Sequence, residues 1–402
     1  MRCLIIGKVW PEPASTAAGR RTLNILQSLQ CADWQLSYAS SAQVGPHSLD
    51  MVTMGIQTHT IQINDSGFDS WIAELAPDVV IFDRFMVEEQ FGWRVETACP
   101  RALRVLDTVD LHCLRDARYQ QSKTGEPLDL FNAIALREIA SIHRSDLTLM
   151  ISDFEMRLLQ EVFSIHVRQL AYWPFVLDEP DQKMPSFEQR QHFIMIGSFQ
   201  HAPNLDAARW CKQVVWPIIY KTLPDAELHL YGSYGEKYGG EFNAPKVGFH
   251  FKGRAEDALV TMQQYRVNMA PLRFGAGLKG KLFDAFETST PSVTTPVGAE
   301  GVASADCEWG CAVSDDPKVV AEVAINLYQD PAQWQQVQQS GHRIAVERFS
   351  RDHWLPLLPL MFTKAREQLG ANRKANFVGQ MLRHHHHRST EFMSRWIEAK
   401  NK

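Results

Sequence analysis

Short apolar runs alternate with longer amphipathic segments twice along the chain, and this repeat constrains the fold more than any other feature. Runs of four to six apolar residues bounded by polar turns suit buried parallel strands, and the segments between them suit crossover helices. In the first half the strands are expected at Cys3–Ile6, Gln35–Tyr38, Val79–Phe82, Leu103–Leu106 and Leu147–Ile151. Helical patterns fall at Thr22–Gln30, where Leu23, Leu26 and Leu29 share a face, and at Glu138–Asp146. The segment Pro174–Phe187 is rich in proline and charge and has no period, as a linker would be. The pattern then restarts. Strands are expected at His192–Ile196, Glu227–Tyr231, Val247–Phe251, Val267–Leu272 and Ser292–Thr295, with helices at Asp206–Tyr220, Ala255–Tyr265 and Lys279–Glu287.

The fold class is therefore α/β, with two consecutive doubly wound domains. Their expected bounds are 1–177 and 188–345, followed by a helical segment 346–369 crossing back to the first domain and a tail 370–402. Ligands of such sheets lie at the carboxyl ends of the strands, which puts the expected site in a cleft between the domains. A length of 402 residues agrees with two cores rather than one. The net charge of −5 argues against nucleic acid as a partner. The seven cysteines form no metal-ligand spacing and suit free thiols in a reducing compartment. The N-terminal apolar run is too short for a signal peptide, and no window is apolar for the length of a membrane span. A cytoplasmic protein is expected, with attachment to the inner membrane surface open.

The tail differs from the rest. It is basic, and its apolar residues come in pairs at Phe377/Val378, Met381/Leu382, Phe392/Met393 and Trp396/Ile397, the pattern of amphipathic helices. A membrane surface or a protein is the partner it implies. The run His384–His387 lies inside the tail between arginines and is expected on a solvated polar face.

The residues that bear chemistry gather in Pro271–Gly301, PLRFGAGLKGKLFDAFETSTPSVTTPVGAEG. Gly275, Gly277 and Gly280 precede a helix opening near Lys281. A glycine loop lets backbone N–H groups approach an anion, and the helix N-terminus adds partial positive charge. Lys279 and Lys281 supply full charges. Asp284, one turn further on, is an acceptor suited to a ribose diol. Thr294–Gly301 is a second small-residue turn after a strand. In the first domain, Gly19, Arg20 and Arg21 follow the first strand's loop. Asp110 and His112 follow the strand Leu103–Leu106. Ser152, with Glu155 three residues later, reads as a capping box.

GAGLKGKLFDAFETSTPSVTTPVGAEG resembles the nucleotide-sugar loop of the group 1 (glycogen-synthase-like, retaining) glycosyltransferases, in the branch that reads approximately GAGxKxKxxEAxxxGxPVVTTxxGxEG. FIMIGSFQHAPNLDAARW resembles that branch's first strand–loop–helix of the second domain, through Gly197, His201, Asn204, Asp206 and Ala207. FKGRAED, with Gly253 and Arg254, resembles the loop beside the base. The similarity spans about residues 190–302 and continues more weakly through WPEPASTAAGRR and LDTVDLHCLRDAR.

The resemblance implies two Rossmann-like domains facing a cleft, the GT-B arrangement, and no metal or cofactor. It implies transfer of a sugar, with retention, from a nucleoside diphosphate sugar (UDP- or GDP-sugar) to a hydroxyl of a glycan, lipid or protein. It assigns Lys279, Lys281, Gly277, Gly280 and Gly19 to the diphosphate. Asp284, Arg254 and Gly253 fall to the ribose and base, and His201 and Asn204 to the donor side. His112 and Asp110 fall near the transferred sugar. Two departures stand out: Asp284 replaces the usual Glu, and Ala276 stands where many members carry a sugar-side Glu. They favour a second reading, a non-catalytic binding member, and a sugar-nucleotide epimerase or hydrolase on the same plan is a third.

Overall fold

The computed structural model describes residues 1–179, 183–304 and 306–401. The first sheet has seven parallel strands, β1 (Arg2–Gly7), β2 (Gln35–Ser40), β3 (Gln57–Thr60), β4 (Val79–Asp83), β5 (Leu103–Asp107), β6 (Leu147–Met150) and β7 (Leu170–Tyr172), in the order β3-β2-β1-β4-β5-β6-β7. The second has five, β8 (Gln191–Ile196), β9 (Leu228–Tyr231), β10 (Phe249–Gly253), β11 (Tyr265–Ala270) and β12 (Ser292–Thr294), in the order β10-β9-β8-β11-β12. Every pairing is parallel, as crossover helices require. Both sheets are covered by helices on their two faces. That is why every residue of β4 and β5 is buried, the apolar run of β4 ending at Asp83 and that of β5 broken by Arg104.

Several elements differ from their sequence expectation. β3 (QTHT) and β7 (LAY) were not foreseen. The first is an exposed edge strand with no apolar residue, and the second is three residues long. The helix foreseen at Asp206–Tyr220 runs from Ala202 to Thr222, widened to i→i+5 bonding at Cys211–Val215. Pro217 lies just beyond and has no N–H to give a regular turn. The helix foreseen at Ala255–Tyr265 shrinks to Ala258–Met262, capped by Asp257. β10 and β11 each sit two residues from their expected starts.

The segment Pro174–Phe187 is not a free linker over its first part. Phe175, Val176 and Leu177 are fully buried, and Phe175 packs on Phe283 with ring centroids 5.0 Å apart. Pro180, Asp181 and Gln182, also within that expected linker, lie outside the described residues. The chain crosses between domains a second time beside it. Leu177 N–H donates to Phe349 O and Arg351 N–H donates to Leu177 O, both at 2.8 Å. Beyond this crossing, Leu358 and Phe362 of the helix Leu357–Glu367 join the core around Trp34, Leu36 and Trp173 of the first domain.

Arg21 shows how the first domain fixes its opening helix, Ala17–Gln30. Its side chain is completely buried, donates to both Asp107 oxygens at 2.8 and 2.9 Å, and donates to Trp173 O at 2.8 Å. It is a structural cation inside the domain.

Candidate active site between the two sheets

The glycine loop follows β11 and faces the carboxyl ends of the first sheet's strands. The first domain closes onto it at three places. Gly277 has φ +66°, and a Cβ there would lie 2.7 Å from Asp110 Cβ, so only glycine fits on both counts. A Cβ on Gly280 would meet Ala17 Cβ at 2.8 Å. Glu155 Oε1 accepts the Gly277 N–H at 2.5 Å. Ala276 packs against the core of the first domain.

Ion pairs clasp the same seam. Arg20 reaches Asp284 at 2.5 Å and also pairs with Glu287. Arg118 donates to both Glu300 oxygens, at 2.8 and 2.6 Å, and to Gly275 O at 2.8 Å. Arg348 donates to Asp153 at 2.9 Å.

Lys279 occupies the N-cap of the helix Gly280–Glu287 and offers that helix no side-chain cap. Its ammonium is buried and donates to Gly277 O. Burial pulls its pKa down, with Glu300 and Glu155 offsetting part of the effect. Lys281 Nζ donates to Asn204 Oδ1 at 2.7 Å. Burial lowers its pKa to about 8 against the pull of Asp284. The two ammonium groups, the glycine backbone and the helix N-terminus thus gather positive charge at one place on the seam. The fold holds that charge at a cost, which is characteristic of sites that bind an anion.

Asp110 and His112 follow β5 through Val109, whose φ of +64° is strained for a β-branched residue. Burial raises the Asp110 carboxyl, but Arg115, His112, Arg84 and His201 outweigh it and hold it below its usual range. Arg115 forms an ion pair with it. His112 opens the helix His112–Thr124, whose first N–H groups donate to Glu138 at 3.0 and 2.9 Å. The His112 Nδ1 lies 3.0 Å from Asp110 O, a carbonyl that only accepts. Nδ1 therefore carries a proton, and in the neutral ring Nε2 is the nitrogen left to accept one.

His201 and Asn204 reach the seam from the second domain. Burial lowers the His201 pKa and Asp110 partly restores it. Gly253 has φ +74° at the end of β10, and the adjoining Arg254 Nε is buried with no hydrogen-bond partner. Gly19 is required where it stands because a Cβ would meet the Glu12 backbone at 2.5 Å. Its N–H is taken by Thr16 Oγ1 at 3.0 Å, so the most it gives an anion is room. Asp284 accepts from Arg20 in this closed arrangement, and a ribose would have to displace or share that bond.

Glu155 reaches the seam, although its sequence pattern reads as a capping box. Half of the expected capping box is present, since Ser152 Oγ accepts from Glu155 N–H at 3.5 Å. The carboxyl leaves the helix and enters the seam beside Ala276 and Lys279. Burial and the neighbouring Asp110 raise its pKa to about 8. Arg118 and Glu300 carry no local sequence signal, because their pairing spans the domains.

Among the described residues, one group has metal-ligand spacing: Glu227, His229 and His250. It lies at the amino ends of β9 and β10, the opposite end of the sheet from the glycine loop, and His229 is already hydrogen-bonded to Glu227 and Tyr265 at 2.7 Å each. No helix among the described residues is long and apolar enough to cross a membrane.

Residues 190–330 match the family model described as Glycosyl transferases group 1. No curated protein matches the chain in sequence. Solved structures share its fold at low identity. A sucrose-phosphate synthase from Thermosynechococcus elongatus is 13% identical with TM-score 0.64, over 92% of this chain and 99% of that one. Anabaena HepE in complex with UDP-glucose is 12% identical with TM-score 0.64, over 92% and 100%. A glycosyltransferase from Rickettsia africae is 9% identical with TM-score 0.64, over 90% and 98%.

Proposed function

Taking as premise that residues 190–330 are a group 1 glycosyltransferase domain and that the chain has the GT-B fold, we propose that it transfers a sugar, with retention, from a nucleoside diphosphate sugar to an acceptor hydroxyl. The observation that carries this reading is the gathering of Lys279, Lys281 and the glycine loop on the seam, met from the other domain by Asp110 and Glu155. UDP-glucose bound to the Anabaena protein makes a UDP-sugar the first donor to try.

In this reading Lys279, Lys281 and the backbone of Gly280 hold the diphosphate, and the Gly277 N–H joins them once Glu155 releases it. They stabilise the charge that grows as the bond to the sugar breaks, the task a metal performs in other enzymes. Arg254 and Gly253 lie toward the base, and Asp284 takes the ribose once Arg20 yields. Asp110 and His112 stand at the sugar. Glu155, which accepts the N–H of Gly277 next to Ala276, is the carboxyl offered for the place left by Ala276, and it arrives from the first domain.

The donor class is read by a thermal-shift panel of UDP, GDP, ADP and dTDP. A ligand that binds only the folded state raises the melting temperature by mass action. One of the four is expected to stabilise the protein clearly beyond the others. No shift from any of them at millimolar concentration contradicts the proposal.

The same ligand gives a pH test. Glu155 gains a negative charge and Lys281 loses a positive one as pH rises through about 8. Both changes disfavour a diphosphate, so the Kd is expected to rise between pH 7 and 9. Glu155→Gln removes the first contribution and should flatten the curve, leaving the part due to Lys281. A Kd constant over that interval, measured by calorimetry, refutes the assignment of these two groups to the diphosphate.

A further inference from the structure

The helix Phe377–Asn401 is turned inside out for a protein in water. The residues it buries are Gly379, Arg383, His387 and Ser394, which share one face. The residues it exposes include Phe377, Met381, Phe392, Met393 and Trp396, with Phe392 at 69% and Trp396 at 59% of full exposure. An ordinary surface helix does the reverse.

The inner face is held by polar bonds to the first domain. Gly379 passes so close to the helix Ala133–Arg144 that a Cβ would lie 2.2 Å from His143 O. Arg383 pairs with Glu96 at 3.1 Å, and His387 Nδ1 lies 2.5 Å from Glu96 Oε2. Arg94 donates to Ser394 Oγ at 3.0 Å. Of the run His384–His387, only His384 and His385 lie on the solvated face; His387 is buried, contrary to the sequence expectation for that residue. These contacts fix the helix with its apolar residues outward.

Charge on the outer face is of one sign. Arg388, Arg395 and Lys400 are exposed there, and Lys374 just before it. Both glutamates of the helix are half-buried, Glu391 paired with Arg395 and Glu398 accepting from Ser66. Residues 370–402 hold seven basic and two acidic residues in a chain whose net charge is −5. Lys400 lies over the Trp396 ring at 5.2 Å, its stem along the apolar surface and its charge at the rim. The helix is roughly 37 Å long, with one exposed apolar cluster near each end, Phe377, Val378 and Met381 at the first and Phe392, Met393 and Trp396 at the second, and His384, His385 and Arg388 exposed between them. On the helix against which it packs, Leu136 is exposed as well, at 75%.

We propose that this face docks the first domain onto an anionic lipid surface, with Phe377, Met381, Phe392, Met393 and Trp396 entering the headgroup boundary and Arg388, Arg395 and Lys400 meeting lipid phosphates. Aromatic and Met residues interleaved with cations on a convex helix match a lipid interface, which needs no complementary groove. The docking needs no donor and is independent of the sugar-transfer reading.

The test is flotation of the full chain with vesicles of phosphatidylcholine alone or with phosphatidylglycerol as a third of the lipid. Binding is expected only with phosphatidylglycerol, and is expected to weaken steeply in high salt. The double variant Phe392→Ser, Trp396→Ser is expected to lose at least about tenfold in vesicle affinity. Its melting temperature and nucleotide binding should stay as in wild type, because neither side chain is buried. The proposal fails if wild type ignores anionic vesicles, binds both kinds equally, or binds unchanged in the double variant. It also fails if the substitutions abolish self-association in ultracentrifugation without affecting vesicles, which would make the face a protein interface.

Discussion

Replacing Lys281 with alanine is expected to lower turnover at least about a hundredfold, equivalent to roughly 2.7 kcal/mol of barrier, without unfolding the protein. The ammonium stands at the first turn of the helix Gly280–Glu287 and is held by Asn204. Its pKa in the fold, about 8, lies below its ordinary value because burial outweighs the pull of Asp284. A charge that the free protein holds against this penalty does not stabilise the fold, so its removal should leave thermal stability close to wild type. In the proposed reaction its benefit would come when a diphosphate enters and the leaving group's charge develops. Lys281→Met should behave like alanine, since the stem alone does not help. Steady-state turnover with the donor found by thermal shift decides the matter, and an unchanged rate removes Lys281 from the site.

The glycine loop was legible because backbone constraints are local. Gly277 needs a positive φ and Gly280 needs to be small, and both are written in the chain as glycine beside lysine. Partners far apart in sequence were not legible. Arg20 and Arg21 are adjacent and identical in type. One bridges to Asp284 and Glu287 of the other domain, and the other is sealed inside its own domain on Asp107. Nothing in the residue pair separates these outcomes, which depend on helix orientation and on acids up to 267 residues away. Glu155 misled for a related reason. Three residues after Ser152 it satisfies a local capping pattern, yet its carboxyl goes to Gly277, 122 residues on. Strong apolar strands such as Val79–Asp83 announced themselves, whereas the edge strand Gln57–Thr60 is too polar to do so. The tail's amphipathic period was readable, but not which face would meet the protein, because its docking relies on Glu96, Arg94 and the His143 carbonyl.

The largest loss of stability is expected from Arg21→Ala, about 3–5 kcal/mol. The guanidinium is fully buried and donates to both oxygens of Asp107 at the end of β5 and to the Trp173 carbonyl beyond β7. It thereby ties the first helix to two strands and to the segment that crosses into the second domain. Removing it leaves a cavity, an unmet carbonyl and a carboxyl whose charge has lost its counterion. Even with Arg21 present, burial, reinforced by nearby Asp83, holds the Asp107 pKa above its usual value. Without Arg21 the carboxyl would sit in the core as a neutral acid or force the core open. Replacing both partners by apolar residues of similar size, Arg21→Met with Asp107→Leu, is expected to recover much of the loss, because the desolvation cost of both charges disappears together. Denaturant unfolding of the two single variants and the double variant measures the coupling. A loss below about 1 kcal/mol for Arg21→Ala would mean that the pair does not anchor the helix. Since Arg21 faces the interior and not the seam, nucleotide affinity of whatever folded protein remains should be unchanged. That outcome separates it from Arg20, whose removal opens the clasp at Asp284.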